Sequence, residues 1–257
     1  MPFTLAHPAA VLPLRRVRHL RIAPLFVGAV VPDLPYYLPG GIVHYVRPVT
    51  HAFDHSFTVD LLLGYALLAS LVVLQQPLTA LVSARARALC LRALVPFDHP
   101  IEWAFAAPAI LLGVWTHLLW DSFTHKDGWI VHRVEALSAH VTLGPYDSTV
   151  YHALQYLSSV VGLCVLVLWY LRLPTPKVSV GPGAARSAAG PVLLLVVTAA
   201  LLIGGVQAVE SFQHLHSVDR TLNVLLTYTL TWFAVLYLTA GIVLTLEHGA
   251  QPPGAHE

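Results

Sequence analysis

The chain has 257 residues, of which 56% are hydrophobic and only 11% charged, and its mean hydropathy is +0.69. A soluble domain carries about 25% charged residues, so the composition excludes an ordinary soluble fold and predicts an all-α, polytopic membrane bundle. A net charge of +1 gives no electrostatic ground for a nucleic-acid partner.

The N-terminus, "MPFTLAHPAAVLPLRRVRHLR", carries its positive charges after a short, Pro-broken apolar stretch. A secretory signal has the reverse order, so no cleavage is expected. Residues 22–38, "IAPLFVGAVVPDLPYYL", are apolar but interrupted by Pro32 and Asp33. They predict a short sixth crossing or a re-entrant helix, since broken backbone at membrane depth needs protein or water around it. Five longer segments, 57–75, 104–122, 150–171, 191–209 and 222–246, approach or exceed the roughly 20 apolar residues a helix needs to cross a bilayer. Aromatics such as Trp115, Trp120, Trp169 and Tyr170 stand near their ends, as interfacial residues do.

Between these segments, 76–103 is a basic linker, 172–190 a Pro/Gly/Ala/Ser-rich basic loop and 247–257 a tail. One integral membrane domain is expected, with a site-bearing part at 1–172 and two further helices at 191–246. Cys90 and Cys164 lack CxxC spacing and read as small apolar residues. If 22–38 crosses, ten of the fourteen Lys and Arg fall on one side, which marks that side as cytoplasmic. The opposite face then collects His44, His51, His55, His125, His132 and His140, with His117 and His152 at adjoining helix ends. Fifteen histidines against fourteen Lys plus Arg are a reason to look for a site, because His is the commonest metal ligand.

The stretch "HLLWDSFTH" at 117–125 sets His117, Asp121 and His125 four apart, which places them on one face of a helix. His51 and His55 repeat that spacing. A carboxylate near lipid needs a partner to offset its desolvation, and a metal ion or an interhelical His–Asp clamp supplies one. Asp60 reads as a structural polar contact, and His99 as solvated. His214 and His216 in "ESFQHLHSVDR" are a second, remote candidate site.

The blocks "MPFTLAHPAAVLPLRR", "VGAVVPDLPYYL", "DHSFTVDLLLGY", "THLLWDSFTHKDGW" and "LQYLSSVVGL" resemble, over about residues 1–172, a bacterial membrane family catalogued as domain of unknown function 4184. Their order is similar to that of membrane-bound metal-dependent hydrolases, and more distantly to the zinc-dependent phospholipase C fold. That resemblance implies metal ligation by His7, Asp33, His55, His117 and Asp121, with His125 a further candidate. The phospholipase cluster is completed by a His-x3-Glu pair, which has no counterpart here, so one or two ions are implied rather than three. A crossing 22–38 segment sets His7 on the face opposite His55. Either that segment is re-entrant, or His7 is no ligand.

The reading that follows is a metal-dependent hydrolase, resident in a bacterial inner membrane with its histidine-rich face extracytoplasmic, acting on a lipidic (phospho)ester. Zinc is the expected ion, with Mg or Mn as alternatives, and a membrane lipid the expected partner. Asp33 or Asp54 would take the proton from water. Arg47, Lys126 or Arg133 would hold a phosphate, and Tyr36, Tyr37, Phe53, Trp120 and Trp129 would seat lipid tails. An isoprenoid or lipid cyclase, isomerase or diphosphate lyase uses the same ion without water. A non-catalytic scaffold or carrier uses the His–Asp pairs only to join helices.

Overall fold

A computed structural model describes residues 4–17, 19–37, 43–143, 146–174, 185–215 and 218–249. His216, the middle of the basic loop, the last residues of the tail and the side chain of His44 fall outside them. In chain order the α-helices are α1 (Pro8–Val11), α2 (Ile22–Val30), α3 (Val43–Thr50), α4 (Val59–Val73), α5 (Gln75–Leu78), α6 (Ala84–Leu94), α7 (Pro100–Thr124), α8 (Glu135–Ser138), α9 (Val150–Arg172), α10 (Ala185–Leu215) and α11 (Val218–Gly249). Short 3-10 turns follow α1, α2 and α6, and one precedes α4. The all-α expectation holds apart from one antiparallel hairpin in the 122–149 connection. There β1 (His140–Leu143) pairs with β2 (Tyr146–Thr149), His140 lying opposite Thr149.

Among the described residues, four helices are long and apolar enough to cross a membrane: Pro100–Thr124, Val150–Arg172, Ala189–His214 and Arg220–Glu247. They mark an integral membrane protein. The fifth expected span is shorter than the sequence suggested. Its helix, α4, has 15 residues and a length of about 22 Å, against a hydrocarbon core of about 30 Å. A 3-10 turn over Phe53–Phe57 precedes it, and its far end breaks at Leu74 before Gln75, Gln76 and Pro77. The segment expected at 22–38 is α2 followed by a 3-10 turn, Val31–Tyr37, that holds Pro32, Asp33 and Pro35. Proline cannot donate to the helical ladder, so the tail of this element loosens where Asp33 sits.

Contacts divide the chain into two units, one within 1–36, 40–68 and 99–174, the other within 37–39, 69–98 and 175–257. In the first, α2 runs parallel to α7. Arg21 pairs with Glu102 through two bonds of 2.5 and 2.8 Å, and Asp33 lies 3.7 Å from His117. The backbones touch: a Cβ on Gly28 would stand 2.0 Å from the Ile110 carbonyl oxygen, and one on Gly113 would stand 2.4 Å from that of Leu25. Val11, Leu25, Ala29 and Ala109 form the buried core of this junction. The stretch before α2 runs the other way. His7 lies by Asp121, Val11 packs with Ala109 and Arg21 meets Glu102, with the reversal near His19, whose φ is 73°. His7 and Asp33 therefore share one end of α7. The sequence-level conflict over His7 dissolves, because the chain travels the length of α7 twice before reaching Asp33.

In the second unit α10 packs on α11, and Gly204 lets the Thr229 side chain approach. The α5 turn rests against α11: the Tyr237 hydroxyl donates to the Leu78 carbonyl at 2.8 Å, and Gly241 faces the Pro77 carbonyl.

Glycine-to-alanine substitutions should separate these constraints. Gly28→Ala is expected to destabilise by about 1–3 kcal/mol, because two backbones must part. Gly205→Ala, with nothing within 4 Å of the new methyl, should be neutral or stabilising by up to about 1 kcal/mol. Thermal unfolding of the two variants in detergent measures the difference.

Candidate metal centre

Five of the site side chains come from four places. Asp33 lies in the Pro-rich 3-10 turn after α2. His117 and Asp121 are successive rungs on the last turns of α7. His51 follows the end of α3, and His7 precedes α1. The Thr50 hydroxyl, fully buried, donates to the Pro32 carbonyl at 2.8 Å. That bond fastens the end of α3 to the turn carrying Asp33.

One oxygen or ring nitrogen from each of Asp33, His51, His117 and Asp121 lies within 4.8 Å of all the others. The Asp121 carboxylate is central. Its Oδ2 stands 3.4 Å from His117 Nε2 and 3.6 Å from His51 Nε2. Its Oδ1 stands 3.5 Å from both His7 Nε2 and His125 Nδ1. Asp33 Oδ1 completes the inner group at 3.5 Å from His51 and 3.7 Å from His117.

These separations are too long for good N–H···O bonds, which fall at about 2.7–3.2 Å. They match the edges of a coordination polyhedron instead: ligands about 2.0–2.2 Å from a tetrahedral ion lie about 3.3–3.6 Å from each other. His7 Nε2, His51 Nε2, His117 Nε2 and both Asp121 oxygens are buried without a hydrogen-bond partner. Buried polar atoms normally find partners. Five such atoms facing one another have a common solution in a cation, so the residues fit a metal ion.

The outer contacts support the same donor set. His117 Nδ1 lies 2.9 Å from the Ala29 carbonyl, and His51 Nδ1 lies 3.2 Å from that of Arg47. A carbonyl only accepts, so each Nδ1 carries a proton, and each Nε2 faces the carboxylates, where it holds either a second proton or, once that is lost, a cation. Metal-ligating histidines are commonly oriented this way. The Thr4 hydroxyl donates to Asp33 Oδ2 at 2.7 Å, which leaves Oδ1 for the centre. His7 stacks on His117 with ring centroids 3.8 Å apart. Burial, and after it the charge of His117, push the His7 imidazole down to about 3, so it stays neutral. His51 differs. Burial draws it down, but the Asp121 and Asp33 carboxylates more than offset this and hold it above its ordinary value.

Of the residues singled out from sequence, Asp33, His117 and Asp121 meet in the inner group, and His7 and His125 adjoin it. His55 does not. α3 ends at Thr50, Ala52 is extended and His55 belongs to a separate 3-10 turn, so the i,i+4 register with His51 is broken. Its side chain is 48% exposed and 4.0 Å from Asp54, itself 81% exposed. His51 occupies the place expected of His55. Its spacing was visible in the sequence, but no pattern separated the two histidines. Thr4 had no sequence signal. Asp60 is fully buried, and neither of its oxygens has a hydrogen-bond partner among the described residues.

Arg47 lies one turn before His51, with its guanidinium carbon 5.7 Å from the centre of the Tyr36 ring and its Nε buried and unpartnered. Arg133 instead stacks on Trp129 at 4.2 Å. Lys126 is exposed beside His125. Phe53 and Phe57, both largely exposed, each pack on Trp115 at 5.6 Å. Trp120 and Trp129 are exposed, and Tyr37 closes the turn that holds Asp33.

A model of the family described as Domain of unknown function (DUF4184) matches residues 1–246. The chain belongs to that family. The match extends through α10 and nearly all of α11, well past the 1–172 stretch whose motifs carried the resemblance. No curated protein and no solved structure matches the chain.

Two outcomes test the centre itself. A cation must displace the proton from His51, so Zn²⁺ should bind more tightly near pH 8 than near pH 6 and release protons on binding; calorimetry in buffers of different ionisation enthalpy reads both. Thr4→Val, which frees Asp33 Oδ2, should weaken metal affinity by about 10-fold or more, measured by competition with a chromogenic chelator.

Proposed function

We propose that this member of the DUF4184 family is a membrane-embedded, metal-dependent hydrolase acting on a lipidic (phospho)ester at the membrane interface. The observation that carries the reading is the buried group of Asp33, His51, His117 and Asp121 at the end of an apolar helix able to cross a membrane. Zinc is the proposed ion, because mixed imidazole and carboxylate donors suit it better than magnesium. A second ion is proposed on the outer side of Asp121, where His7 Nε2 faces Oδ1 and His125 lies alongside.

A bound divalent ion supplies Lewis-acid activation of water and electrostatic stabilisation of the oxyanion that forms on attack. The chain supplies the rest. Asp33 Oδ1 faces the centre while Thr4 holds the other oxygen, which makes Asp33 the assigned proton acceptor rather than exposed Asp54. Arg47 offers an unpartnered guanidinium nitrogen for a phosphate oxygen, with Lys126 as a second cation. The Phe53–Phe57–Trp115 cluster and Trp120 offer apolar surface for lipid tails. The bacterial inner membrane is the proposed location, with the site facing away from the cytoplasm as the Lys and Arg distribution favours.

Metal analysis of the purified full-length protein should find one or two ions per chain. His117→Ala and Asp121→Asn should lose them, together with at least about 100-fold in turnover of lipid esters. Full metal content in both variants, or no stoichiometric ion in the native protein, would overturn the scheme. Turnover in ¹⁸O-water should label the product; an unlabelled product assigns a cyclase, isomerase or diphosphate lyase to the same centre.

A further inference from the structure

A cavity of about 620 Å³ lies between the N-terminal stretch and the last turns of α9, and among its walls are Arg15, Arg16, Trp169 and Arg172. Leu12, Val165 and Leu168 supply apolar wall, and no acidic side chain lines it. Arg15 is steadied by donating from Nη1 to the Leu12 carbonyl at 3.1 Å. Arg16 and Arg172 make no ion pair with a described residue. Trp169, held against Phe26 at a centroid distance of 5.5 Å, has a buried indole N–H without an acceptor. Three guanidinium groups line one cavity, and none of them makes an ion pair with a described residue.

The apolar half of the wall decides which kind of anion. α9 is an apolar helix able to cross a membrane, and its surface near the cavity exposes Val161, Leu168 and Leu171, as a lipid-facing helix does. Arg172 ends that helix, so the guanidinium groups stand at the level where headgroups lie. A small soluble anion would leave Val165 and Leu168 uncovered. A phospholipid meets both halves at once. Arginine is also the side chain best shaped for paired bonds to phosphate.

We propose that Arg15, Arg16 and Arg172 form, beside the Trp169 ring, a binding site for the phosphate headgroup of an anionic phospholipid, with its acyl chains along Val165 and Leu168. The site is separate from the metal centre and does not rest on it. Basic pockets between membrane helices hold anionic headgroups in this manner.

The test uses the full chain in a neutral detergent, with native mass spectrometry and indole fluorescence as readouts. Phosphatidylglycerol should bind at least 10-fold more tightly than phosphatidylcholine, and adding a chelator should leave that preference unchanged. Arg16→Gln and Arg172→Gln together should remove the preference, whereas Arg172→Lys should retain most of it and so report that the fold is intact. Trp169→Phe should remove most of the fluorescence response, because the Trp169 ring lines the cavity. Equal binding of the two lipids would overturn the proposal. So would inorganic phosphate competing as well as the lipid, because the cavity would then serve a soluble anion.

Discussion

The Asp121 carboxylate is the constraint on which the site depends. It is buried near the end of an apolar helix, and each of its oxygens is faced by two imidazoles, His51 and His117 on one side and His7 and His125 on the other. An isolated carboxylate in such surroundings is costly. Imidazoles offset that cost only if they carry protons or share a cation with it. The long nitrogen–oxygen separations and the unpartnered atoms favour the cation, and this ties burial to chemistry. The group that would be a liability in the membrane becomes one able to hold a metal ion.

That arrangement requires close packing elsewhere. Asp33 reaches His117 because α2 lies against α7 with glycines at the contact, and the Ala29 carbonyl that orients His117 is on the same helix face. His7 reaches Asp121 because the preceding chain runs back along α7 in short 3-10 and α pieces. Pro8 and Pro13 suit such pieces, since proline begins a helical turn readily and interrupts a long one. Backbone irregularity concentrates where the ligands are: the Pro-rich turn at Asp33, the break after Thr50, and the end of α7 at Thr124. Irregular backbone at this depth is tolerated where protein surrounds it. The result is a set of donors from distant parts of the chain fixed by neighbouring carbonyls and hydroxyls.

The two ends of α7 and its companions differ in character. One gathers carboxylates and imidazoles in a buried cluster. At the other, the Arg21–Glu102 pair is exposed to solvent and worth at most about 1 kcal/mol. Nearby, Arg15 and Arg16 stand close to the end of α9 without an ion-pair partner among the described residues. This polarity follows from solvation. Guanidinium groups stay at the interface, where their charge keeps its hydration, whereas a ligand cluster must exclude water to hold an ion tightly.

The sequence by itself determined the all-helical membrane class, the positions of the four long helices, and His117 and Asp121 as one face of α7. It could do so because hydropathy and the 3.6-residue period are local properties. It also selected Asp33, through a carboxylate inside an apolar run, and family membership through the order of its motifs. Only the tertiary structure decided that His51 rather than His55 joins the group, that Thr4 braces Asp33, that His7 lies at the Asp33 end, and that Asp60 is fully buried. Each of those outcomes turns on where a helix stops or which way a segment doubles back. Such choices are set by contacts between residues tens of positions apart, which a local period does not encode.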